Sequence, residues 1–220
     1  MRRLIIAIDG PSGVGKGTIA RAIASKLGYH HVDSGAMYRA VGWKARQLGV
    51  PFDNEAEVAR IADASTIEIS ASRVTIDGTD VTRDIRTPDI DAAAAAGARL
   101  PRVRAILVDR QRTLGVVGGI VMEGRDIGTV VFPAADVKLY LDASAEERAR
   151  RRAQDPAHSG PAAIADVVTL LSERDRSDST RSASPLYAAA DATVIDTTNA
   201  PIDEVVARVM EIVRERLSDS

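Results

Sequence analysis

The chain has 220 residues and a formal net charge of −2, and 45% of its residues are hydrophobic and 27% charged. This composition supports a folded core, the length suits one α/β domain with a modest insertion, and no global basic field indicates a nucleic-acid polymer as partner. The chain has no cysteine, which excludes disulfides and cysteine-based zinc sites, and no apolar run long enough to span a bilayer, so we expect a cytoplasmic protein without a membrane partner.

The predicted elements begin with a strand, a loop and a helix. The apolar, β-branched residues 4–8 predict a buried strand, residues 10–15 are rich in glycine, and residues 16–27 carry apolar side chains at helical spacing up to Gly28. A second unit follows, with a short strand predicted at 29–32 and a helix at 36–48. Ser34 stands between them, in the position of a helix N-cap.

Residues 66–83 follow a different pattern, because their apolar residues alternate with period two. Segments 66–70 and 73–77 predict a small antiparallel hairpin, and Asp77-Gly78 is a turn signal. The alanine-rich residues 92–98 favour a helix. We therefore predict an inserted subdomain at about 64–97.

The alternation of strand and helix then resumes. Strands are predicted at 119–122, 137–141 and 193–196, helices at 101–114, 143–154, 164–176 and 202–217, and a linker at 155–161. Five short strands alternating with helices imply an α/β fold, in which helices cover both faces of a parallel sheet.

The loop after the first strand is the strongest functional signal. It consists of Gly10, Pro11, Ser12, Gly13, Val14, Gly15, Lys16, Gly17 and Thr18. A glycine-rich loop between a strand and a helix is the context of a Walker A loop, whose backbone N–H groups wrap a polyphosphate. Lys16 would supply charge for the β- and γ-phosphates of ATP, and the Thr18 hydroxyl would meet Mg²⁺ directly or through water. Gly17 separates the lysine from the threonine, and this ending is similar to the loops of nucleoside monophosphate kinases.

A phosphate loop alone does not define a reaction. The chain has no Asn-Lys-x-Asp segment of the kind that GTPases use to read guanine. The class of protein that remains is a small-molecule kinase, and such an enzyme needs a second anion-binding site for its acceptor substrate. Arginines and acids cluster at 33–39, 123–131 and 173–181, and the first two clusters follow predicted strands, where parallel sheets bind ligands. Taken singly, the first cluster is also consistent with a helix cap and a surface arginine, the second with a plain loop, and the third with a salt-bridged helix surface.

Several segments occur in an order that resembles the bacterial-type cytidylate kinases. They are IDGPSGVGKGT, DSGAMYR, IRTPDIDAAA, PRVRAILVDRQR, EGRDIGTVVFP, LDASAEERARRR, ERDRSDSTRS and PLYAAADATVIDTT, and they extend over nearly the whole chain. The resemblance implies a P-loop NTPase-type core at 1–63 and 98–220, a monophosphate-binding insert at about 64–97 and a short lid at about 146–162. It also implies ATP as phosphoryl donor, Mg²⁺ as cofactor, and CMP or dCMP as acceptor.

The resemblance also assigns site residues by position. The catalytic residues would be Lys16, Arg148 and Arg152. The CMP site would consist of Ser34, Arg39, Arg104, Arg125, Asp126, Arg174, Asp178 and Arg181. Arginine forks suit a phosphate, with Arg39 and Arg125 foremost, and the Asp178 carboxylate suits ribose hydroxyls. Asp126 would accept a hydrogen bond from the cytosine N4 amine and Arg104 would donate one to the base, whereas ionised Asp126 would repel the O4 of uracil.

One departure from the family pattern concerns base recognition. The family often has a serine in the helix before PRVR, and this chain has Ala95 at the matching position. Either a neighbour or water replaces that serine, or cytosine discrimination is weaker. Two other functions stay open, namely a kinase for another nucleoside monophosphate such as UMP and a P-loop nucleotide-binding regulator without an acceptor site. We expect a monomer.

Overall fold

The computed structural model describes residues 3–70, 72–154 and 164–218. The strands are β1 (Ile5–Asp9), β2 (His30–Asp33), β3 (Ile67–Ile69), β4 (Val74–Ile76), β5 (Thr79–Asp80), β6 (Ile120–Gly124), β7 (Val137–Asp142) and β8 (Thr193–Asp196). The helices are α1 (Lys16–Leu27), α2 (Ser34–Gln47), α3 (Glu55–Ala64), α4 (Pro88–Gly97), α5 (Pro101–Gly115), α6 (Ala145–Ala153), α7 (Ile164–Thr180) and α8 (Ile202–Ser218). A π-helical turn at Ile127–Val131 follows β6.

Five strands form one parallel sheet in the order β2-β6-β1-β7-β8. The register places the carboxyl ends of three strands side by side, since Asp9 of β1 pairs with Gly124 of β6, and Asp33 of β2 pairs with Glu123. Ligands bind at this edge of open parallel sheets. The predicted α/β fold with a parallel sheet of about five strands is confirmed.

Helices cover both faces of the sheet, which explains why the central strands read as continuous apolar runs. Ile6 and Ile8 of β1 pack with α1 and α8 on one face. Ala7 points to the other face and packs with α5 and the π-helical turn. All three side chains are fully buried, so β1 is held rigidly where it leads into the glycine-rich loop.

A second, antiparallel sheet has the order β3-β4-β5. The predicted pairing of segments 66–70 and 73–77 is found as β3 and β4, but Asp77-Gly78 forms the turn of a further hairpin between β4 and β5. Both turn residues have positive φ, 49° and 76°, which is the geometry that Asp-Gly favours. The sheet packs through Val74 and Ile76 against Ala40 of α2, and α4 lies along α2 as well.

Helix α3 was not predicted from the sequence. Its N-cap is Asn54, whose side chain accepts a hydrogen bond from the backbone N–H of Glu57 at 3.3 Å. Its apolar residues pack in one cluster with those of α2 and α5. The polar cap followed by acids and periodic apolar residues was a usable start signal.

The start of α2 and the end of α7 differ from the predictions for local reasons. The prediction that Ser34 caps α2 is wrong, because Asp33 is the N-cap and its side chain accepts a hydrogen bond from the N–H of Ala36 at 3.1 Å. α7 extends to Thr180, beyond the predicted end at 176, and stops before Ser184-Pro185, since a proline disfavours helix in the residue that precedes it.

The predicted lid at about 146–162 is described only as far as Gln154. Its described part is α6, which begins after Ser144, a cap whose hydroxyl accepts a hydrogen bond from the N–H of Glu147 at 3.2 Å. Residues 155–162, and with them the predicted linker at 155–161, lie outside the described residues. Within the described ranges, no helix is long and apolar enough to cross a membrane.

Candidate active site

The glycine-rich loop joins β1 to α1 and has a backbone that only glycine allows at its start. Gly10 has φ of +145°, and a Cβ built there would lie 2.1 Å from the carbonyl oxygen of Leu141 in β7. The loop therefore passes against the neighbouring strand without room for a side chain. Its backbone leads directly into the N-terminus of α1, where unpaired N–H groups favour an anion.

Lys16 lies across the loop that contains it. Its side chain is buried, and Nζ donates hydrogen bonds to the carbonyl oxygens of Gly10 at 2.8 Å and Pro11 at 2.6 Å. Burial, and next the nearby Arg125 guanidinium, lower the pKa of Lys16 to about 7. The ammonium is thus held at the loop without a full counter-charge, which suits an anion that arrives from outside.

Asp9, the last residue of β1, was not predicted as a site residue, but it connects β1 to the π-helical turn. Its carboxylate accepts hydrogen bonds from the N–H groups of Ile127 at 2.8 Å and Gly128 at 2.7 Å. Burial raises the pKa of Asp9 to about 6, although these two hydrogen bonds oppose the shift. One side chain therefore ties the end of β1 to the turn that follows Arg125 and Asp126.

Glu123 at the end of β6 is the second residue that sequence reasoning left without a role. Its Oε1 lies 3.0 Å from Nε2 of His31, and a Cβ built on Gly17 would lie 3.0 Å from the same oxygen. A side chain at position 17 would press on this carboxylate. The crowding gives a physical reason for the glycine that separates Lys16 from Thr18.

An open cavity of about 280 Å³ lies between the loop and the charged clusters. All of the residues predicted for the CMP site line it, as do Ala95 and most of the loop, whereas Gly10, Pro11 and Val14 do not. The lining residues from the predicted CMP site are Ser34, Arg39, Arg104, Arg125, Asp126, Arg174, Asp178 and Arg181. The sheet edge thus brings together residues that are up to about 150 positions apart in sequence.

Ser34 and Arg39 are positioned at the start of α2. The Ser34 hydroxyl donates a hydrogen bond to the carbonyl oxygen of Glu123 at 2.7 Å, and Nη2 of Arg39 donates to Asp33 at 2.6 Å. Burial alone would raise the pKa of Asp33, but the Arg39 guanidinium and its hydrogen bond hold that pKa below its usual range. The cap of α2 is therefore also the counter-ion that orients Arg39.

Arg104 and Asp126 form a buried ion pair, in which Nη2 of Arg104 donates to Oδ2 of Asp126. The other carboxylate oxygen lies 3.9 Å from Nη2 of Arg181. The Arg104 guanidinium stands 5.5 Å from the ring centre of Tyr38, within the range of a cation–π contact. Asp126 and Arg104, the residues predicted to accept a hydrogen bond from cytosine and to donate one to it, are thus paired with each other in the lining of the cavity.

Arg125 and Asp178 form the next pair, with Nε of Arg125 donating to Oδ2 at 3.0 Å. Arg181, just after the end of α7, approaches the other oxygen of Asp178 at 3.5 Å. Burial would raise the pKa of Asp178, but Arg125 and then Arg181 lower it below its usual range. The turn after β6 and the end of α7 are held together by this carboxylate.

The two arginines predicted to be catalytic on α6 have different surroundings. Arg148 is buried behind the loop, where its guanidinium donates to the carbonyl oxygens of Ala143 at 3.1 Å and Ser12 at 3.3 Å and contacts Asp175. It does not line the cavity. Arg152 does line it, and it contacts Asp91 of α4.

The parallel sheet, its phosphate-type loop and the cavity at the sheet edge define the chain as a P-loop kinase. A solved shikimate kinase from Bacteroides thetaiotaomicron is similar in fold, with a TM-score of 0.51 at 11% identity over 96% of this chain and 98% of that one. An uncharacterised protein from Eubacterium ventriosum has a TM-score of 0.54 at 9% identity, over 97% of this chain and 99% of that one. These likenesses concern the fold alone.

Sequence comparison identifies the family. Residues 6–215 match the family model described as cytidylate kinase, and the chain belongs to the cytidylate kinase family. It is 46% identical to a cytidylate kinase of Pelotomaculum thermopropionicum over 93% of each chain, and 45% identical to one of Geobacillus thermodenitrificans over 98% of this chain and 99% of that one. A bifunctional pantoate ligase/cytidylate kinase of Trichormus variabilis is 45% identical over 99% of this chain, which matches 42% of that protein. The predicted family and enzyme class are confirmed.

Proposed function

We propose that this enzyme transfers the γ-phosphoryl group of ATP to CMP, and to dCMP, giving ADP and CDP or dCDP. The observation that carries the proposal is one cavity in which a phosphate-type loop faces a set of arginine–carboxylate pairs. Membership of the cytidylate kinase family points to the same acceptor. We also propose that the protein acts as a monomer in the cytoplasm.

On the acceptor side, we assign the CMP phosphate to Arg39 and Arg125, because guanidinium groups bind phosphate oxygens in pairs. Asp178 is assigned to the ribose hydroxyls. Asp126 would accept the hydrogen bond of the cytosine N4 amine while Arg104 donates to the base, and neither group suits the O4 of uracil at the position of N4. Ala95 lines the same cavity, but its side chain has no polar atom. Recognition of cytosine would therefore depend on the Arg104–Asp126 ion pair.

On the donor side, the loop's N–H groups and Lys16 would hold the polyphosphate. A second cavity of about 770 Å³ begins at Gly13 and Gly15 and continues past Arg151 to Asn199 and Pro201. It shares Gly13, Gly15, Thr18 and Arg152 with the first cavity, and none of the residues predicted for the CMP site line it. We assign it to the adenosine part of ATP.

The donor set near the loop fits Mg²⁺ bound together with ATP. No group of three or more His, Cys, Asp or Glu side chains that could hold a metal ion occurs among the described residues. Mg²⁺ needs no such group, since it keeps several waters and binds one or two protein oxygens plus substrate phosphates. Thr18 and Glu123, which both line the cavity, would supply those oxygens, and the ion would neutralise charge on the phosphates.

The rest of the proposed catalysis consists of positioning the two substrates and stabilising charge. A monophosphate oxygen is already anionic, so no side chain has to remove a proton before it attacks the γ-phosphorus in line. Arg152 would stabilise the charge of the group in transfer, and Arg148 would hold the loop through Ser12. The proposed lid at about 146–162 would exclude water, and the proposed insert at about 64–97 would close the acceptor side.

A competing-substrate assay tests the proposal. The purified chain is given ATP and Mg²⁺ with equal amounts of CMP, dCMP, UMP and AMP, and CMP and dCMP are expected to be consumed first. Lys16→Ala should lower turnover by about 100-fold or more, as losing one charge-stabilising group does, whereas Lys26→Ala on the exposed end of α1 should not. A clear preference for UMP or AMP would show that the base assignment is wrong. Binding of ATP without any binding of a monophosphate would indicate a regulator instead.

A further inference from the structure

A carboxylate without an assigned role lies among the arginines of the cavity. Asp91, on α4, contacts Nη2 of Arg152 on α6 and lies 3.5 Å from Nη1 of Arg174 on α7. Its side chain is only 13% exposed. One carboxylate thus joins three helices that are distant in sequence.

Asp91 also lies in the electrostatic field of the acceptor site. It lines the same cavity as Lys16 and Arg125. Burial and then Arg125 lower the pKa of Arg174, and Asp91 opposes that shift. The pKa of Arg39 is raised against the effect of burial by Asp33 and next by Asp91. The carboxylate therefore compensates charge on several of the arginines that the reaction needs.

Carboxylate and phosphate oxygens are alternative partners for the same guanidinium groups. Arg152 and Arg174 both line the cavity. In the proposed function Arg152 faces the phosphoryl group in transfer, and Arg174 belongs to the CMP site, where a guanidinium can bind the CMP phosphate. An anion that already binds them in the substrate-free protein must compete with the phosphates that follow.

We propose that Asp91 is a stand-in anion: it holds Arg152 and Arg174 while the cavity is free of nucleotide, and it yields them to the phosphate groups of the substrates. The inference rests on the proposed function, because it takes phosphate as the ligand of this cavity. Since α4 belongs to the proposed insert and α6 to the proposed lid, the same exchange connects occupancy of the cavity to the contact between these two segments.

The direction in which ligand affinity changes when Asp91 loses its charge distinguishes this role from a structural one. Without its charge, Asp91 no longer compensates the partly buried Arg152 and Arg174, so the free protein should unfold at a lower temperature. It also no longer competes, so an anionic ligand should bind more tightly. A residue that merely supports the shape of the site would weaken binding when it is changed.

The test compares Asp91→Asn with the wild type by calorimetric titration of CMP and of cytidine, which lacks the phosphate. Asp91→Asn is expected to bind CMP about fivefold more tightly, which is the lower end of the coupling commonly found between two binding events in one protein. Its affinity for cytidine should not change. Asp91→Glu, which keeps the charge, should retain the wild-type affinity for CMP.

A matched control is Asp89→Asn on the same helix. Asp89 is 74% exposed and pairs with Arg46 at 3.1 Å, so its loss should leave CMP binding unchanged. If Asp91→Asn binds CMP as the wild type does, or more weakly, the inference is overturned. The wild-type assay with CMP and ATP is independent of this result, so failure of the proposed function would be seen separately.

A second measurement needs no variant. A crystal structure of the wild-type enzyme with CMP and ADP is expected to show Arg152 or Arg174 bonded to phosphate oxygens and released from Asp91. A complex in which both arginines keep their contacts with Asp91 would overturn the inference.

Discussion

ATP binding should depend on pH through the ammonium group of Lys16. Burial lowers the pKa of this group to about 7, and the charged groups that face it are Arg125, Glu123, Asp9 and Arg174. A polyphosphate bound against Nζ would favour the protonated form and restore a higher pKa. Above pH 7, binding of ATP should therefore take up a proton.

The magnitude follows from the fraction of Lys16 that is protonated before ATP arrives. With a pKa of about 7, that fraction is about one half at pH 7 and about 1% at pH 9, so the apparent affinity for ATP should fall roughly 50-fold between them. Asp9, whose pKa is raised to about 6, is about 90% ionised at pH 7 and adds little in this range. A terminal phosphate with a second pKa of about 6 is also mostly ionised there.

Calorimetric titration of ATP in two buffers with different heats of ionisation measures both the affinity and the protons taken up. Proton uptake should rise from about one half towards one between pH 7 and 9. Lys16→Met should bind ATP more weakly but with little dependence on pH. A wild-type affinity that stays flat over this range would refute the reasoning, and so would an equal pH dependence in Lys16→Met.

Two further predictions concern base reading and the loop. Asp126→Asn should lower the preference for CMP over UMP, measured as the ratio of kcat/KM values, by about tenfold, since leaving a buried polar group unpaired costs about 1–3 kcal/mol; an unchanged ratio would contradict base reading by this carboxylate. Gly10→Ala places a Cβ 2.1 Å from the Leu141 carbonyl oxygen at a φ of +145° and should reduce the free energy of unfolding by about 1–3 kcal/mol or more. Gly97→Ala in α4, whose Cβ would have no neighbour nearer than 3.6 Å, is the control and should be neutral or stabilising in chemical denaturation.

The sheet and the phosphate loop were predictable because their signals are local. A β-branched run, a glycine-rich turn and a helical period lie within 24 consecutive residues, from Leu4 to Leu27, and a continuous apolar run is typical of a strand buried on both faces, as β1 is. The cap of α2 was placed one residue late, because both Asp33 and Ser34 are good cap residues. In the structure the Ser34 hydroxyl donates instead to the carbonyl oxygen of Glu123 in β6, a contact that the local sequence does not show.

The pairing of charges could not be predicted, because it depends on contacts between distant segments. Asp9 accepts hydrogen bonds from backbone N–H groups 118 and 119 residues away, and Arg125 is 53 residues from Asp178. Sequence periodicity shows which face a residue occupies but not which residue of another element lies opposite. The cluster at 123–131 is visibly charged in the sequence, but the neighbours of the Glu123 carboxylate, Gly17 and His31, come from two other elements.

In the proposed function, these pairs affect how substrates bind. Arg39, Arg104 and Arg125 each have a carboxylate partner in the substrate-free enzyme, and leaving the buried Arg104 without one would cost several kcal/mol. A nucleotide therefore exchanges one set of hydrogen bonds for another, so its net affinity comes from the difference between the two sets. A nucleoside without a phosphate supplies too few oxygens to replace the carboxylates on the arginine forks. In the proposed function, the arginine–carboxylate pairs thus favour a phosphorylated acceptor over its nucleoside.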